Sequence, residues 1–280
     1  MQMFVSRRLV LASILSLCAA TAFGQAATAK KQRSFEPTVG QEGKDVVWVP
    51  TSQALLNRML DMAKVTPSDY VVDLGSGDGR TVITAAKRGA RALGVEYNPD
   101  MVALSKRNAQ KEGVTDKVQF VQGDIFETDF SKATVITLFL LPELNVKLRP
   151  KILDMPPGTR VVSNSFTMGD WQADRTQNVS EKDGCTAYCT AYLWIVPAKV
   201  DGRWKGAEGD LTFKQTYQNV TGALDRDGKN AAVKGSLRGD QITFTAGSAQ
   251  YTAKVTGDMM TGTVKTGSGT NNFTATRAGS

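Results

Sequence analysis

Val71-Val72-Asp73-Leu74-Gly75-Ser76-Gly77-Asp78-Gly79-Arg80 is the stretch on which the fold turns. Tyr70 to Val72 reads as a buried strand and Arg80 to Lys87 as a helix, so three glycines at alternate positions occupy a strand-to-helix turn. Glycine lets the backbone bend sharply and approach a ligand with no Cβ in the way. In an open α/β sheet, ligands lie beyond the carboxyl ends of the strands, where this turn falls. The spacing is G-x-G-x-G. A dinucleotide fingerprint needs its third glycine where Arg80 stands, and a Walker loop needs a Gly-Lys-Ser/Thr that is absent.

Working outward, Ser52 caps a helix with Leu55, Leu56, Met59, Leu60 and Ala63 on one face, expected to run until Pro67-Ser68 stops it. Strand patterns follow at 92–95, 118–121, 134–140, 159–163 and 188–196, with helix patterns at 100–110 and 143–153. This alternation predicts an α/β fold, a doubly wound and mostly parallel sheet covered on both faces. Two further strand ends carry chemistry. Gly94-Val95-Glu96 places a carboxylate where it can accept two hydrogen bonds from a ribose diol, and Gln122-Gly123-Asp124-Ile125 places an acceptor for an adenine amino group beside an apolar residue that can pack on the ring.

Together, Asp73-Leu74-Gly75-Ser76-Gly77-Asp78-Gly79, Glu96 and Asp124 resemble the class I S-adenosylmethionine-dependent methyltransferases over about residues 46–198. Val49-Pro50-Thr51, the D-L-G-S-G-D-G-R run and Gly94-Val95-Glu96-Tyr97-Asn98-Pro99 are similar more narrowly to the ATP synthase c-subunit lysine methyltransferase family. The resemblance implies a Rossmann-like methyltransferase domain. It implies S-adenosyl-L-methionine as cofactor, held by Pro50, Thr51, Asp73, Gly75, Ser76, Gly77, Glu96, Asp124 and Ile125, with Pro50 and Thr51 covering its methionine end. After the fourth strand, Leu138-Phe139-Leu140-Leu141-Pro142-Glu143 lacks the Asn/Asp-Pro-Pro-Tyr/Phe of many amino-group methyltransferases, which disfavours adenine and cytosine as acceptors. Phe139 could wall an alkylamine channel, and Glu143 or Asn145 could orient an amine; a buried strand followed by a Pro-started helix accounts for the same residues. Ser163, Asn164 and Trp171 are further pocket candidates.

The 280 residues include no histidine, which excludes Ser-His-Asp and Cys-His catalysis and leaves no expected metal site. Residues 1–24 read as a signal peptide: Arg7 and Arg8, then an apolar run from Leu9 to Ala22 too short for a membrane span, then Ala22-Phe23-Gly24 before a cut. The expected product is exported, periplasmic or secreted, without a membrane span in the mature chain. Losing two arginines lowers the net charge from +7 to about +5, too mild for a dedicated nucleic-acid binder. Residues 25–45 read as a flexible leader.

Cys185 and Cys189 remain. An extended chain would set them about 13 Å apart, beyond the bridging limit of about 7 Å, so a disulfide needs a turn between them; two unpaired thiols are the alternative. Residues 201–280 hold 13 of the 26 glycines, with alternating strands and Asp-Gly turns, and predict a small antiparallel β domain of six to eight strands in a barrel or curled sheet. Two functions are compatible with the chain. One is an exported methyltransferase, with a protein lysine or a small molecule as acceptor. The other is a methyltransferase-like module that binds S-adenosylmethionine at the cell envelope without turnover, since no cofactor source outside the cytoplasm is evident.

Overall fold

The computed structural model describes residues 35–279, so the expected signal peptide and residues 25–34 of the leader lie outside the described residues. Seven strands form one sheet: β1 (Tyr70–Leu74), β2 (Arg91–Glu96), β3 (Val118–Gln122), β4 (Val135–Leu138), β5 (Arg160–Asn164), β6 (Arg175–Asn178) and β7 (Thr190–Ile195). Their order is β3-β2-β1-β4-β5-β7-β6, and only β7 runs against the rest. The chain moves outward from β1 to β3 and returns to β4 on the other side of β1. That reversal opens a crevice above the β1–β4 boundary.

Alternate strand residues face opposite ways, and the core divides accordingly. Val71, Ala92, Val135 and Val162 pack against α1 (Gln53–Met62), α2 (Arg80–Lys87) and α3 (Pro99–Lys111). Their neighbours Val72, Leu93, Ile136 and Val161 face Leu148 and Ile152 of α4 (Pro142–Leu153). The second face carries this one helix, and Phe130, Met168 and Trp171 from loops complete its cover. Among the described residues no helix is long and apolar enough to cross a membrane.

Local chemistry sets the element ends. The Ser52 hydroxyl accepts from Leu55 N, and Asn98 caps α3 with Pro99 in its first turn. α1 stops at Met62, before the expected Pro67. Lys64 adopts φ +50° and Val65 N donates back to Leu60 O, a left-handed closure that a proline-based reading misses. β4 ends at Leu138 and β7 begins at Thr190, shorter than expected, which leaves Phe139 and Tyr188 outside the ladder. β6, Arg-Thr-Gln-Asn, lies at the sheet edge with no buried side chain, so it lacks the apolar alternation by which strands are read.

The C-terminal strands are β8 (Gly202–Gly206), β9 (Gly209–Thr216), β10 (Asn219–Arg226), β11 (Lys229–Arg238), β12 (Gln241–Ala246), β13 (Ala249–Thr256), β14 (Met259–Thr266) and β15 (Gly269–Arg277). Each pairs antiparallel with the next, and β15 closes on β8, giving an eight-stranded barrel without a free edge. Its interior is filled: Phe244 stacks on Tyr251 at 4.4 Å, edged by Phe213 and Phe273. Trp204 is buried inside the barrel, its Nε1 donating to Val200 O, and among the described residues it makes no bridge to the sheet domain. The contact falls to Tyr217, which stacks on Trp171 at 5.9 Å and donates its hydroxyl to Asp170.

Candidate functional site

Above the crevice lies a cavity of about 390 Å³, the size of a small-molecule cleft. All nine positions expected to hold the cofactor line it: Pro50, Thr51 and Asp73; Gly75, Ser76 and Gly77; Glu96, Asp124 and Ile125.

The glycine turn is bound to the end of β2. Gly75 N and Ser76 N both donate to Val95 O, and Gly77 N donates to Glu96 Oε2 at 2.9 Å. Asn98 N donates to Glu96 Oε1, also at 2.9 Å. Each carboxylate oxygen therefore holds one amide and keeps lone-pair capacity for a ligand. Gly79, the α2 cap, has φ +82°, and a Cβ there would meet Phe120 and Ser105 at 2.8 Å. Arg80, standing where a dinucleotide fingerprint wants glycine, is paired with Asp78 and donates to Thr51 O at 3.0 Å. The Thr51 hydroxyl accepts from Asn164 Nδ2. The Pro50-Thr51 segment is thus tied to both the glycine turn and the end of β5.

Asp73 is buried at the end of β1 and accepts from the Thr137 hydroxyl at 2.6 Å. Burial pushes its pKa up to about 7, against the Thr137 bond, which favours the ion. Asp124 is held below the usual carboxylate range, first by Lys44 at 2.5 Å and then by the Phe126 amide. Lys44 also lies 4.8 Å from the Tyr97 ring centre.

Lys44 comes from the segment expected to be a loose leader. Residues 38–48 instead fold back on themselves: Glu42 bridges Val47, Gly40 N donates to Trp48 O, and Trp48 N donates to Gln41 O. Trp48 covers Gly77, with Nε1 2.7 Å from the position of an added Cβ. Trp48 and Lys44 were missed because an isolated aromatic and a lysine carry no spacing signal. Adjacency of Trp48 to Val49-Pro50-Thr51 was the one available clue.

The acceptor candidates separate. Phe139 lines the cavity together with Phe166 and Tyr188, which sequence reasoning did not select. Glu143 and Asn145 do not line it. Glu143 is an exposed first-turn residue of α4, where a carboxylate complements the helix dipole. Asn145 is buried, and its amide donates to Phe166 O and Thr167 O, supporting that loop from behind. Ser163 is buried within β5, and Trp171 lies under the Tyr217 ring. Cys185 and Cys189 are bonded, with Cα atoms 5.7 Å apart. The turn that permits this includes Tyr188 at φ +54°.

A family model described as the ANTKMT methyltransferase domain matches residues 73–175, ending before the barrel. A protein-lysine N-methyltransferase of Saccharolobus islandicus is 43% identical over 154 residues, which cover 54% of this chain and 94% of that relative. An ATP synthase c-subunit lysine N-methyltransferase of Xenopus laevis is 34% identical over 128 residues, 45% of this chain; the chain spans 56% of that relative's length. A solved structure of an RNA methyltransferase from Salinibacter ruber, in complex with S-adenosyl-L-homocysteine, is 47% identical. It aligns at a TM-score of 0.50 over 54% of this chain and 96% of that one. The names agree on methyl transfer and differ on the acceptor.

Proposed function

The chain belongs to the S-adenosylmethionine-dependent methyltransferase family of the Saccharolobus enzyme, and from that premise we propose that it methylates the side-chain amine of protein lysine. The observation that carries this is the division of the cavity. Its carboxylates lie on the leader turn, the glycine turn and the ends of β1, β2 and β3, while the flank made by Phe139, Leu140, Leu141, Leu144, Phe166 and Tyr188 has no charge.

The chain's groups fit the cofactor. The Ser76 hydroxyl is buried in the cavity wall without a partner among the described residues, and the Glu96 oxygens retain acceptor capacity. Glu96 would take the ribose hydroxyls, Asp124 the adenine amino group once Lys44 withdraws, and Ile125 the adenine face. Asp73 would face a cationic group, with Pro50 and Thr51 covering that end. When bound, S-adenosylmethionine supplies a methyl group already activated on a sulfonium, so the protein's task is positioning. The uncharged flank offers the amine an apolar wall in place of charged partners, which favours the neutral amine, the form that can react. No acid–base side chain is required there.

The test is transfer of labelled methyl from S-adenosylmethionine to a cell extract, followed by hydrolysis and amino-acid analysis. Label in methyl-lysine is the expected result. Label sensitive to ribonuclease and not to protease would overturn the lysine reading in favour of RNA. Cofactor binding without transfer to either would favour the binding module.

We further propose that the protein works outside the cytoplasm. The signal-like residues 1–24 and the Cys185–Cys189 bond support an oxidising compartment. The division into a methyltransferase-like domain at 46–198 and a β domain at 201–280 is proposed with it.

A further inference from the structure

Three rings meet on the uncharged flank of the cavity. Phe139 follows β4, Phe166 follows β5 and Tyr188 precedes the antiparallel β7, so the three stand side by side at the same end of three neighbouring strands. Phe139 lies 5.3 Å from Tyr188 and 6.0 Å from Phe166, centre to centre, and Phe166 lies 5.9 Å from Tyr188. Tyr188 is 47% exposed, so the group is reachable from solvent.

Two of the rings are held by unusual backbone. Ser165, immediately before Phe166, has φ +57°, and Tyr188 has φ +54°. Non-glycine residues keep this conformation when their surroundings hold it, and such positions cluster at functional sites. Ser165 is fixed by its amide donating to Thr190 O at 2.7 Å and its hydroxyl accepting from Thr190 N. Tyr188 sits inside the five-residue ring closed by Cys185 and Cys189.

We propose that Phe139, Phe166 and Tyr188 form the subsite for the acceptor's alkylamine, and that the Cys185–Cys189 disulfide is the device that positions Tyr188 in it. This rests on the lysine reading above. The flank suits both ends of such a reaction. Apolar walls favour the neutral amine before transfer, and ring faces attract the methylated cation that remains afterwards. Reduction of the disulfide by an external dithiol, which passes two electrons and two protons to the two sulfurs and is itself oxidised to a disulfide, releases the left-handed turn and removes one ring from three, so that acceptor binding follows the thiol–disulfide poise of the compartment.

The test uses the full chain saturated with S-adenosylhomocysteine. Binding of a trimethyl-lysine peptide is measured by calorimetry, beside methyl transfer to the unmodified peptide. Tyr188→Ala and the double change Cys185→Ser with Cys189→Ser are expected to weaken peptide binding about tenfold or more and to raise the acceptor KM. Tyr188→Phe should stay within about twofold of the parent. Affinity for S-adenosylhomocysteine should stay within about twofold in every variant, which separates loss of the subsite from loss of fold. Ring-dependent peptide binding without transfer would sustain the subsite and overturn the lysine-turnover reading. Transfer to lysine with an unchanged KM in Tyr188→Ala would do the reverse. A parent protein that binds no trimethyl-lysine peptide would overturn the subsite outright.

Discussion

At Gly77 an added Cβ would stand 2.7 Å from Trp48 Nε1, a side-chain atom at the wall of the cavity. At Gly222, in β10, it would stand 1.8 Å from the backbone oxygen of Thr212 in β9. Both regions read as glycine-rich, yet glycine serves opposite purposes in them. In the turn after β1 it shapes a surface for a ligand, and the neighbour that would be struck can move. In the barrel it lets two backbones approach inside a hydrogen-bonded ladder, and nothing there can give. Gly235 and Gly262 repeat the barrel pattern, with Cβ positions 2.2 and 2.0 Å from Thr243 O and Thr252 O. The barrel interior is packed with side chains, and none of its residues lines the cavity.

The largest effect tests that contrast directly. Gly222→Ala should destabilise the barrel by about 3 kcal/mol, an overpacking cost at the upper end of the usual range. Limited proteolysis should then cut first within residues 202–277. Gly77→Ala, at φ +53°, should cost only about 1–2 kcal/mol and should weaken cofactor binding about tenfold or more. Equal melting temperatures for the two variants would break the comparison.

Glu96 sharpens the sheet side of it. Glu96→Ala removes a charged acceptor worth about 1.5–3 kcal/mol, so S-adenosylmethionine should bind roughly 10- to 150-fold more weakly. The Gly77 and Asn98 amides also lose their acceptor, so a modest fall in melting temperature should accompany the loss. Calorimetry showing parental affinity would remove Glu96 from the ribose role.

Legibility followed the same division. The glycine turn, Glu96 and Asp124 could be read because each stands at a strand end with a chemically specific residue at a fixed offset. Phe166 and Tyr188 could not be read. Their meeting depends on the antiparallel insertion of β7 beside β5 and on a disulfide turn, both long-range facts without local spacing. Glu143 and Asn145 have suitable chemistry and stand just after the fourth strand, but position in the chain does not fix where they point. Once α4 begins at Pro142, helical rotation turns Glu143 to solvent and Asn145 into the core. In the barrel, alternation marks the inner face of each strand, but it does not distinguish a barrel from a curled sheet, because the closure of β15 on β8 joins strands far apart in sequence.

Asp73 adds a pH dependence whose sign follows from burial. Its folded pKa, about 7, lies above the ordinary value of 3.8. Protonated Asp73 therefore stabilises the fold, a contribution complete below about pH 4 and lost as the pH rises through 7. A cationic ligand group beside it requires the ion, so binding should release a proton below pH 7. Affinity should rise about tenfold from pH 6 to 8. Asp73→Asn should flatten both the melting-temperature profile and the affinity profile. An affinity that falls with pH would place the cation elsewhere.

The smallest expected effect is at Lys44, and its sign is the informative part. Its ammonium bonds Asp124, the carboxylate assigned to the adenine amino group, and faces the Tyr97 ring. If Lys44 competes for Asp124, the cofactor must displace it, and Lys44→Ala removes that competition. Exposed ion pairs contribute little, so S-adenosylmethionine should bind more tightly by less than about fivefold. Added salt weakens the Lys44–Asp124 pair in the parent, so the difference between parent and variant should shrink as ionic strength rises. Weaker binding in Lys44→Ala would mean that the 38–48 turn holds the cofactor through Lys44 instead of yielding to it. The adenine end would then be built from the leader as well as from the sheet, and the division between a ligand-shaping turn and the segments around it would have to be redrawn.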